Sequence, residues 1–245
     1  MKHWPYPRWI AHRGAGKLAP ENTLAAFRLG ASLGYRAYEC DVKLSADGVP
    51  FLLHDTELER TTDGQGRAGD RPWSELSRLD AGRWHGRAFA GETLPTLAAI
   101  AAHVRAQGHL LNIEIKPTPG LERATGEAVA AAAARLWAGA AAPPLLSSFR
   151  PEALLAAREA APELPRALLL DELPDGWLDA ARSLACVAVV TNHKLMDAAV
   201  LAQAHLAGLR ALCYTVNEAA DAERLRALGV DGLITDAVDR FAPID

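Results

Sequence analysis

Seven ionisable side chains stand at or near the ends of strand-sized apolar runs in the first half of this sequence. They are His12, Arg13, Glu39, Asp41, His54, Glu114 and Lys116. In a parallel α/β fold the strand ends lie on one side of the molecule, so we expect these side chains to meet there. Carboxylates, histidines and fixed cations in one place predict a metal site, an acid–base pair and an anion site.

The carboxylates predict the metal site. Side chains two apart in a strand share a face, so Glu39 and Asp41 point the same way, and Glu114 is grouped with Asn112 in another run. Carboxylates that point into a barrel mouth are costly unless they are paired or metal-bound. Three oxygen ligands predict one divalent cation, magnesium first, with calcium or manganese as alternatives to it rather than zinc. The competing interpretation is an ordinary salt-bridge network whose cations are Arg13, Lys43 and Lys116.

His12 and His54 are candidates for general base and general acid, because imidazole titrates near neutral pH. A single histidine at a strand end is more often structural, but these two lie beside a predicted cation site. Arg13 and Lys116 provide fixed positive charge, and a guanidinium fits two phosphate oxygens. Together the four predict chemistry on a phosphoryl group. We expect the other histidines to be surface or packing residues, with a reservation for His85: His3, His85, His103, His109, His193 and His205.

Apolar runs alternate with amphipathic segments along the whole chain. The predicted strands are 8–12, 37–42, 110–115, 145–148, 166–170, 186–190, 210–215 and 232–235. The predicted helices are 22–34, 94–107, 121–138, 151–161, 174–183, 196–207 and 218–228. This alternation predicts a (β/α)8 TIM barrel in the α/β class, formed by one domain over 1–245. An open doubly wound sheet is the alternative, weakened because no GxGxxG turn follows the first strand.

Residues 43–93 interrupt this rhythm after the second strand. The turn Ser45-Ala46-Asp47-Gly48 joins the runs 37–44 and 49–53, which predicts a hairpin that brings His54 back to the level of Glu39 and Asp41. We expect the rest of the segment to be an insertion over the barrel. Trp73 and Trp84 are predicted either to enclose substrate or to form the insertion's own small core.

Composition limits the functional classes. The chain has 245 residues, 50% hydrophobic and 23% charged, with a net charge of −4. A slightly acidic protein is not expected to bind nucleic acid. Its three dispersed cysteines, Cys40, Cys186 and Cys213, predict buried free thiols in a reducing compartment.

The location and assembly of the protein are also expectations from the sequence. The chain shows neither a secretory leader nor an apolar run long enough to span a bilayer, and no amphipathic membrane-surface helix is evident. We therefore expect a cytoplasmic protein with no stable membrane association. The sequence is compatible with a monomer or a homodimer.

The motifs, taken in order, resemble one known family, the glycerophosphodiester phosphodiesterases. The first half contributes His12-Arg13-Gly14, Pro20-Glu21-Asn22-Thr23, Glu39-Cys40-Asp41-Val42, His54-Asp55 and Glu114-Ile115-Lys116. The second half contributes Ser147-Ser148-Phe149, Tyr214-Thr215-Val216-Asn217 and Gly229 to Asp236. The resemblance covers nearly the whole chain and is closest to the compact bacterial cytoplasmic form.

This resemblance implies metal-dependent hydrolysis of a small-molecule glycerophosphodiester, such as glycerophosphocholine or glycerophosphoethanolamine, to sn-glycerol 3-phosphate and an alcohol. It implies His12 and His54 as catalytic residues, a metal bound by Glu39, Asp41 and Glu114, and substrate contacts from Arg13, Lys116 and Tyr214. The family usually has tryptophan where this chain has Tyr214, which affects head-group preference. The alternatives are a lysophospholipase D or a phospholipase C-like enzyme; a non-catalytic binding barrel is disfavoured because no histidine or carboxylate is missing.

Overall fold

The alternating apolar runs form a nine-stranded sheet in the computed structural model, which describes residues 4–243. The strands are β1 (Trp9–Ala11), β2 (Ala37–Leu44), β3 (Pro50–Leu52), β4 (Leu110–Ile115), β5 (Leu145–Ser148), β6 (Arg166–Leu170), β7 (Ala188–Asn192), β8 (Arg210–Tyr214) and β9 (Gly232–Thr235). All neighbours are parallel except β2 and β3. Pairing of β1 with both β9 and β2 closes eight strands into a TIM barrel, which excludes the open sheet.

Helices connect most successive barrel strands. They are α1 (Leu24–Ser32), α2 (Trp73–Leu76), α3 (Leu97–Ala106), α4 (Glu122–Leu136), α5 (Pro151–Ala160), α6 (Trp177–Ser183), α7 (Ala198–Leu206) and α8 (Ala219–Leu228). The predicted helices are confirmed, each shorter at one or both ends than the apolar pattern indicated. The sixth barrel strand, β7, begins two residues later than predicted, at Ala188 rather than 186.

Two apolar layers hold the barrel together, and strand periodicity sorts side chains between them. Tyr38, Cys40 and Val42 pack outward with the helices, as do Ile113 and Ile115. Side chains from the other face fill the barrel interior, among them Ile10, Leu145, Leu169, Val190, Leu212 and Ile234. The polar residues of the inner face therefore lie above this apolar interior, at the carboxyl end of the strands.

The start of α1 brings the first loop to the site. Thr23 is the N-cap: its hydroxyl accepts from the Ala26 N–H at 3.3 Å and donates to the Pro20 carbonyl at 2.7 Å. Such a cap contributes about 1 kcal/mol to stability. Because Thr23 caps the helix, the side chain of Asn22 is available elsewhere.

The segment after β2 is an insertion, as predicted, and it has a small core of its own. The β2–β3 hairpin pairs Val42 with Leu52, and the Leu53 N–H donates to the Asp41 carbonyl at 3.1 Å. Beyond it, a buried cluster contains Phe51, Leu53, Leu58, Ala68, Leu76, Ala81 and Leu94. Trp73 packs on this cluster, with its ring centroid 5.8 Å from that of Phe51. Trp84 is 42% exposed, and its indole N–H donates to the Ala81 carbonyl.

The expectation of buried free thiols is confirmed, because Cys40, Cys186 and Cys213 are all free and buried. Among the helices of residues 4–243, none has the length and apolar character needed to cross a membrane. His3, expected as a surface or packing residue, lies outside the described residues.

Candidate active site

Three carboxylates from two adjacent strands meet inside the barrel mouth. Glu39 and Asp41 lie on β2 and Glu114 on β4, and the parallel register places Asp41 directly beside Glu114. One carboxylate oxygen from each residue lies within 4.8 Å of the others, and all three residues are buried. The predicted cluster is therefore formed, with the geometry of a compact all-oxygen donor set.

Burial, followed by mutual repulsion, determines the electrostatics of this cluster. Burial, with the charges of Asp41 and Glu114, raises the pKa of Glu39 well above its ordinary value. Burial and the charge of Asp41 likewise raise the pKa of Glu114 to about 7, against the opposing effect of Lys116. Burial would also raise the pKa of Asp41, but Arg13 and Lys116 outweigh it and lower that pKa. A bound cation would relieve the repulsion that holds protons on Glu39 and Glu114.

Arg13 and Lys116 lie against the carboxylates. The Arg13 Nε is 3.2 Å from Asp41 Oδ2, and the Arg13 backbone N–H, on a left-handed residue with φ 50°, donates to Glu39 Oε2. The Lys116 ammonium is 2.9 Å from Glu114 Oε1 and 3.5 Å from Asp41 Oδ1. The salt-bridge network is thus real, but Lys43 does not belong to it: its ammonium donates to the Lys116 carbonyl at 3.1 Å.

The donor atoms fit a divalent cation in addition to these ion pairs. Glu39 Oε1 and Asp41 Oδ1 are buried and accept no hydrogen bond from any residue in 4–243. Buried acceptors of this kind are costly unless a cation or a donor satisfies them. Two fixed cations also face three carboxylates, so the ionised cluster keeps one surplus negative charge. Oxygen donors with a negative surplus suit magnesium, calcium or manganese.

His12 follows β1, and its ring is held by Asp236, which follows the neighbouring strand β9. Its Nδ1 donates to Asp236 Oδ1 at 2.6 Å, and its Nε2 lies 3.6 Å from Glu39 Oε2. Asn217 donates to Asp236 Oδ2 at 3.0 Å. Burial would raise the pKa of Asp236, but the hydrogen bond and charge of His12 lower it to about 2. An ionised Asp236 therefore directs the Nε2 of His12 into the barrel mouth.

His54 follows the hairpin and has a carboxylate partner of its own. Its Nδ1 donates to Asp55 Oδ1 at 2.7 Å. Burial lowers the pKa of His54, although the charge of Asp41 opposes the shift. The two predicted histidines thus have the same arrangement, a carboxylate on Nδ1 with Nε2 left for another partner.

Two connected clefts open at this end of the barrel. The smaller, about 190 Å³, is lined by both histidines and by Arg13, Asn112, Ser147 and Tyr214. The larger, about 530 Å³, extends toward α5 and α6 and is lined by Lys43, Arg150, Leu170, Asp171, Glu172 and Trp177. His54, Glu114, Lys116 and Phe149 line both. Trp73 and Trp84 line neither.

Tyr214, at the end of β8, forms part of the wall. Its hydroxyl donates to the Leu170 carbonyl at 3.2 Å, and its ring meets Phe149 edge-on at 5.7 Å. Tyr214 and Phe149 thus form an aromatic wall of the cleft, and the hydroxyl of Tyr214 is turned toward the end of β6.

Sequence reasoning assigned no role to several residues that support the site. Asn22 donates to Asp41 Oδ2 at 2.8 Å and accepts from the Asp41 N–H, while Asp236 and Asn217 hold His12. Asp236 directly follows β9, so the strand-end rule that found the other residues could have found it. Asn22 lies in the motif Pro20-Glu21-Asn22-Thr23, but its role becomes evident only once α1 is docked.

The architecture and this cluster can be compared with known proteins. The model of the glycerophosphoryl diester phosphodiesterase family matches residues 12–240. A glycerophosphodiester phosphodiesterase of Caldanaerobacter subterraneus subsp. tengcongensis is 34% identical over 232 residues, with 93% of each chain covered. A phosphodiesterase of Oleispira antarctica, solved in complex with its product sn-glycerol 3-phosphate, superposes with a TM-score of 0.89 at 35% identity; 96% of this chain and 94% of that chain are covered.

A second solved structure agrees. The glycerophosphodiester phosphodiesterase of Agrobacterium tumefaciens superposes with a TM-score of 0.80 at 29% identity, with 98% of this chain and 100% of that chain covered. The barrel, the buried carboxylates and the match over nearly the full length lead to one assignment. The chain belongs to the glycerophosphoryl diester phosphodiesterase family, a family of phosphoric diester hydrolases.

Proposed function

We propose that this enzyme hydrolyses glycerophosphodiesters, such as glycerophosphocholine or glycerophosphoethanolamine, to sn-glycerol 3-phosphate and an alcohol, and that it needs one divalent cation. One observation carries the proposal. Three buried carboxylates, two cations and two carboxylate-supported histidines converge on one cleft in a member of this family. The product bound to the Oleispira antarctica relative supports the same bond cleavage.

The residues divide into three proposed roles. Glu39, Asp41 and Glu114 hold the cation, which when bound withdraws charge from the phosphoryl oxygens. Arg13 and Lys116 bind the phosphate and offset the negative charge that develops on it. His12 and His54 exchange protons with the nucleophile and the departing alcohol oxygen. The nucleophile is water or the neighbouring glycerol hydroxyl, and either requires one base and one acid.

The two clefts suggest how the diester is seated. The phosphate would lie where they join, against Lys116 and His54. The smaller cleft suits glycerol, because buried Ser147 Oγ and both polar atoms of the buried Asn112 side chain lack a hydrogen-bond partner among residues 4–243. The larger cleft, with Asp171 and Glu172 at its rim, would accept the leaving alcohol, and Tyr214 would contact the substrate in the smaller one.

This seating predicts a substrate-dependent effect of Ser147→Ala. We expect kcat/KM on glycerophosphocholine to fall by about 5- to 20-fold, because one hydrogen bond to a substrate hydroxyl is lost. On an analogue whose glycerol lacks its terminal hydroxyl, the same substitution should have little effect. Steady-state kinetics of both proteins on both substrates measure the difference. An equal loss on both substrates would show that Ser147 does not contact that hydroxyl.

The hydrogen bond from His12 to Asp236 gives a second prediction. Asp236→Asn should lower kcat by between about 10- and 10⁴-fold, because a neutral amide no longer fixes the tautomer of His12. KM should change little, since Asp236 is not among the residues that line either cleft. Asp239→Asn, three residues further along, is the control. Unchanged kcat for a folded Asp236→Asn protein would rule out the orienting role.

The assay that tests the proposed function separates it from the alternatives. Purified protein is incubated with glycerophosphocholine, glycerophosphoethanolamine and lysophosphatidylcholine, with added Mg²⁺, Mn²⁺ or Ca²⁺ and with EDTA. We expect sn-glycerol 3-phosphate from the first two substrates in the presence of a cation. Release of choline from lysophosphatidylcholine alone would identify a lysophospholipase D instead, and a persistent cyclic phosphate would identify a phospholipase C-like reaction.

The domain organisation and compartment complete the proposal. We propose that residues 1–245 act as one domain in which the insertion at about 43–93 supplies His54. The direct pairing of β3 with β2 supports this. We propose the cytoplasm as the compartment, which three buried free thiols favour.

A further inference from the structure

A chain of charged contacts links the two sides of the candidate site through three residues that line neither cleft. It runs from His54 through Asp55, Arg60 and Glu21 to Arg13. His54, Asp55 and Arg60 belong to the insertion, whereas Glu21 and Arg13 belong to the loop after β1. The insertion and the first loop are thus tied together next to the proposed reacting groups.

Arg60 is the centre of this chain and contacts two carboxylates at once. Its Nη1 and Nη2 each donate to one oxygen of Glu21 at 2.8 Å. Its Nε and Nη2 donate to the two oxygens of Asp55 at 2.5 and 3.0 Å. Only the planar fork of arginine can engage two carboxylates in this way.

Each of these two carboxylates also accepts a hydrogen bond from one proposed functional side chain. Asp55 Oδ1 accepts from His54 Nδ1 at 2.7 Å, and Glu21 Oε1 accepts from Arg13 Nη1 at 2.8 Å. The Arg60 hydrogen bonds, helped by His54, lower the pKa of Asp55 to about 2, so Asp55 remains an acceptor for the imidazole. Arg60 in turn is surrounded by negative charge, which raises its pKa.

Arg60, Asp55 and Glu21 are all absent from the residues that line the two clefts. Arg60 is also 44% exposed, so an isolated ion pair there would add little to stability. The four hydrogen bonds from Arg60 to Glu21 and Asp55 are better explained by the side chains that these carboxylates hold in turn. Asp55 holds His54, and Glu21 holds Arg13.

We propose that Arg60 is a positioning residue, which fixes the His54 imidazole through Asp55 while Glu21 anchors Arg60 to the loop that carries Arg13. Without Arg60, Asp55 is free to rotate and His54 loses its fixed orientation. A misplacement of about 1 Å at a reacting group costs on the order of 10²-fold in rate. The loss falls on kcat rather than KM, because Arg60 does not touch the substrate. This inference rests on the proposed role of His54.

The test compares Arg60→Ala and Arg60→Lys with the wild type on glycerophosphocholine. We expect Arg60→Ala to lower kcat by about 10- to 100-fold with KM nearly unchanged. The kcat of Arg60→Lys should lie between those of the wild type and Arg60→Ala, since lysine restores the charge without the planar fork. Arg71→Ala is the matched control: Arg71, in the same insertion, is 49% exposed and pairs with Glu75, and its removal should leave kcat unchanged. Thermal melting of each variant monitors folding.

A double-mutant cycle distinguishes positioning from a general structural role. In a His54→Ala background, Arg60→Ala should cost no more than about a further twofold, because the group it positions is gone. The same fold loss in both backgrounds would overturn the proposal, as would unchanged kcat or a rise in KM alone. If Arg60→Ala does not fold, Arg60→Lys replaces it in the double-mutant cycle. An inactive wild type would instead contradict the proposed function, so the two failures are separable.

Discussion

Removal of divalent cations with EDTA is expected to abolish turnover of glycerophosphocholine, and readdition of Mg²⁺ is expected to restore it. The reason is electrostatic. Glu39, Asp41 and Glu114 leave a surplus negative charge beside Arg13 and Lys116, and an incoming phosphodiester adds another. Without a cation, the site either keeps that surplus charge against the substrate or holds protons on Glu39 and Glu114, and in both cases no divalent charge stabilises the transition state.

Substitution of the three carboxylates should reproduce the loss. Glu39→Gln, Asp41→Asn and Glu114→Gln are each expected to lower kcat/KM by at least about 10³-fold, since an oxygen-ligand site of three residues has few donors to spare. Glu75→Gln, on the exposed part of the insertion, is the control. Elemental analysis of the purified proteins should show metal in the wild type and little in the three variants. Full activity in excess EDTA, with no metal retained, would exclude the cation site.

The pH dependence of cation binding has a definite sign. In the metal-free site the pKa of Glu114 is raised to about 7, and that of Glu39 is raised well above its ordinary value. Both must be ionised to bind, so cation binding releases protons and competes with them. Calorimetric affinity for Mg²⁺ should therefore weaken as the pH falls from about 8 to about 6. Affinity independent of pH over this range would mean that the carboxylates are already ionised.

The second large effect is expected at the histidines. His12→Ala and His54→Ala should each lower kcat by on the order of 10²–10⁴-fold on an unactivated diester, and kcat/KM of the wild type should follow a bell-shaped pH profile. The double variant should lose less than the product of the single losses, because base and acid act as a unit. His103→Ala, on α3 and away from both clefts, is the control.

An activated substrate assigns the two roles. A nitrophenyl diester has a leaving group that needs little protonation, so it should rescue the variant that lacks the acid and not the one that lacks the base. Near wild-type rates on glycerophosphocholine for either single variant would show that this histidine is structural. Rescue of both variants would show that neither histidine is the base.

The positions of the seven ionisable residues could be predicted because strand periodicity and strand ends are local properties of the sequence. Glu39 and Asp41 share a face since they are two residues apart, and Cys40 between them packs outward as expected. The hairpin that returns His54 was likewise visible in the turn after Leu44. In contrast, Lys43 shares the inner-facing spacing of Asp41 but pairs with a backbone carbonyl, because charge type alone does not determine a partner.

What the sequence by itself determined is therefore the alternation of strands and helices, the face on which each polar side chain lies, and the set of residues able to bind a cation and a phosphate. Only the tertiary structure decided how they are held. His12 bonds to Asp236 across 224 positions of sequence, and Arg60 bonds to Glu21 across 39. These partners follow from barrel closure and from the docking of the insertion, which depend on packing between distant segments rather than on local conformational preference. Single residues indicated the chemistry, whereas the orientation of their side chains depends on contacts that only the closed barrel creates.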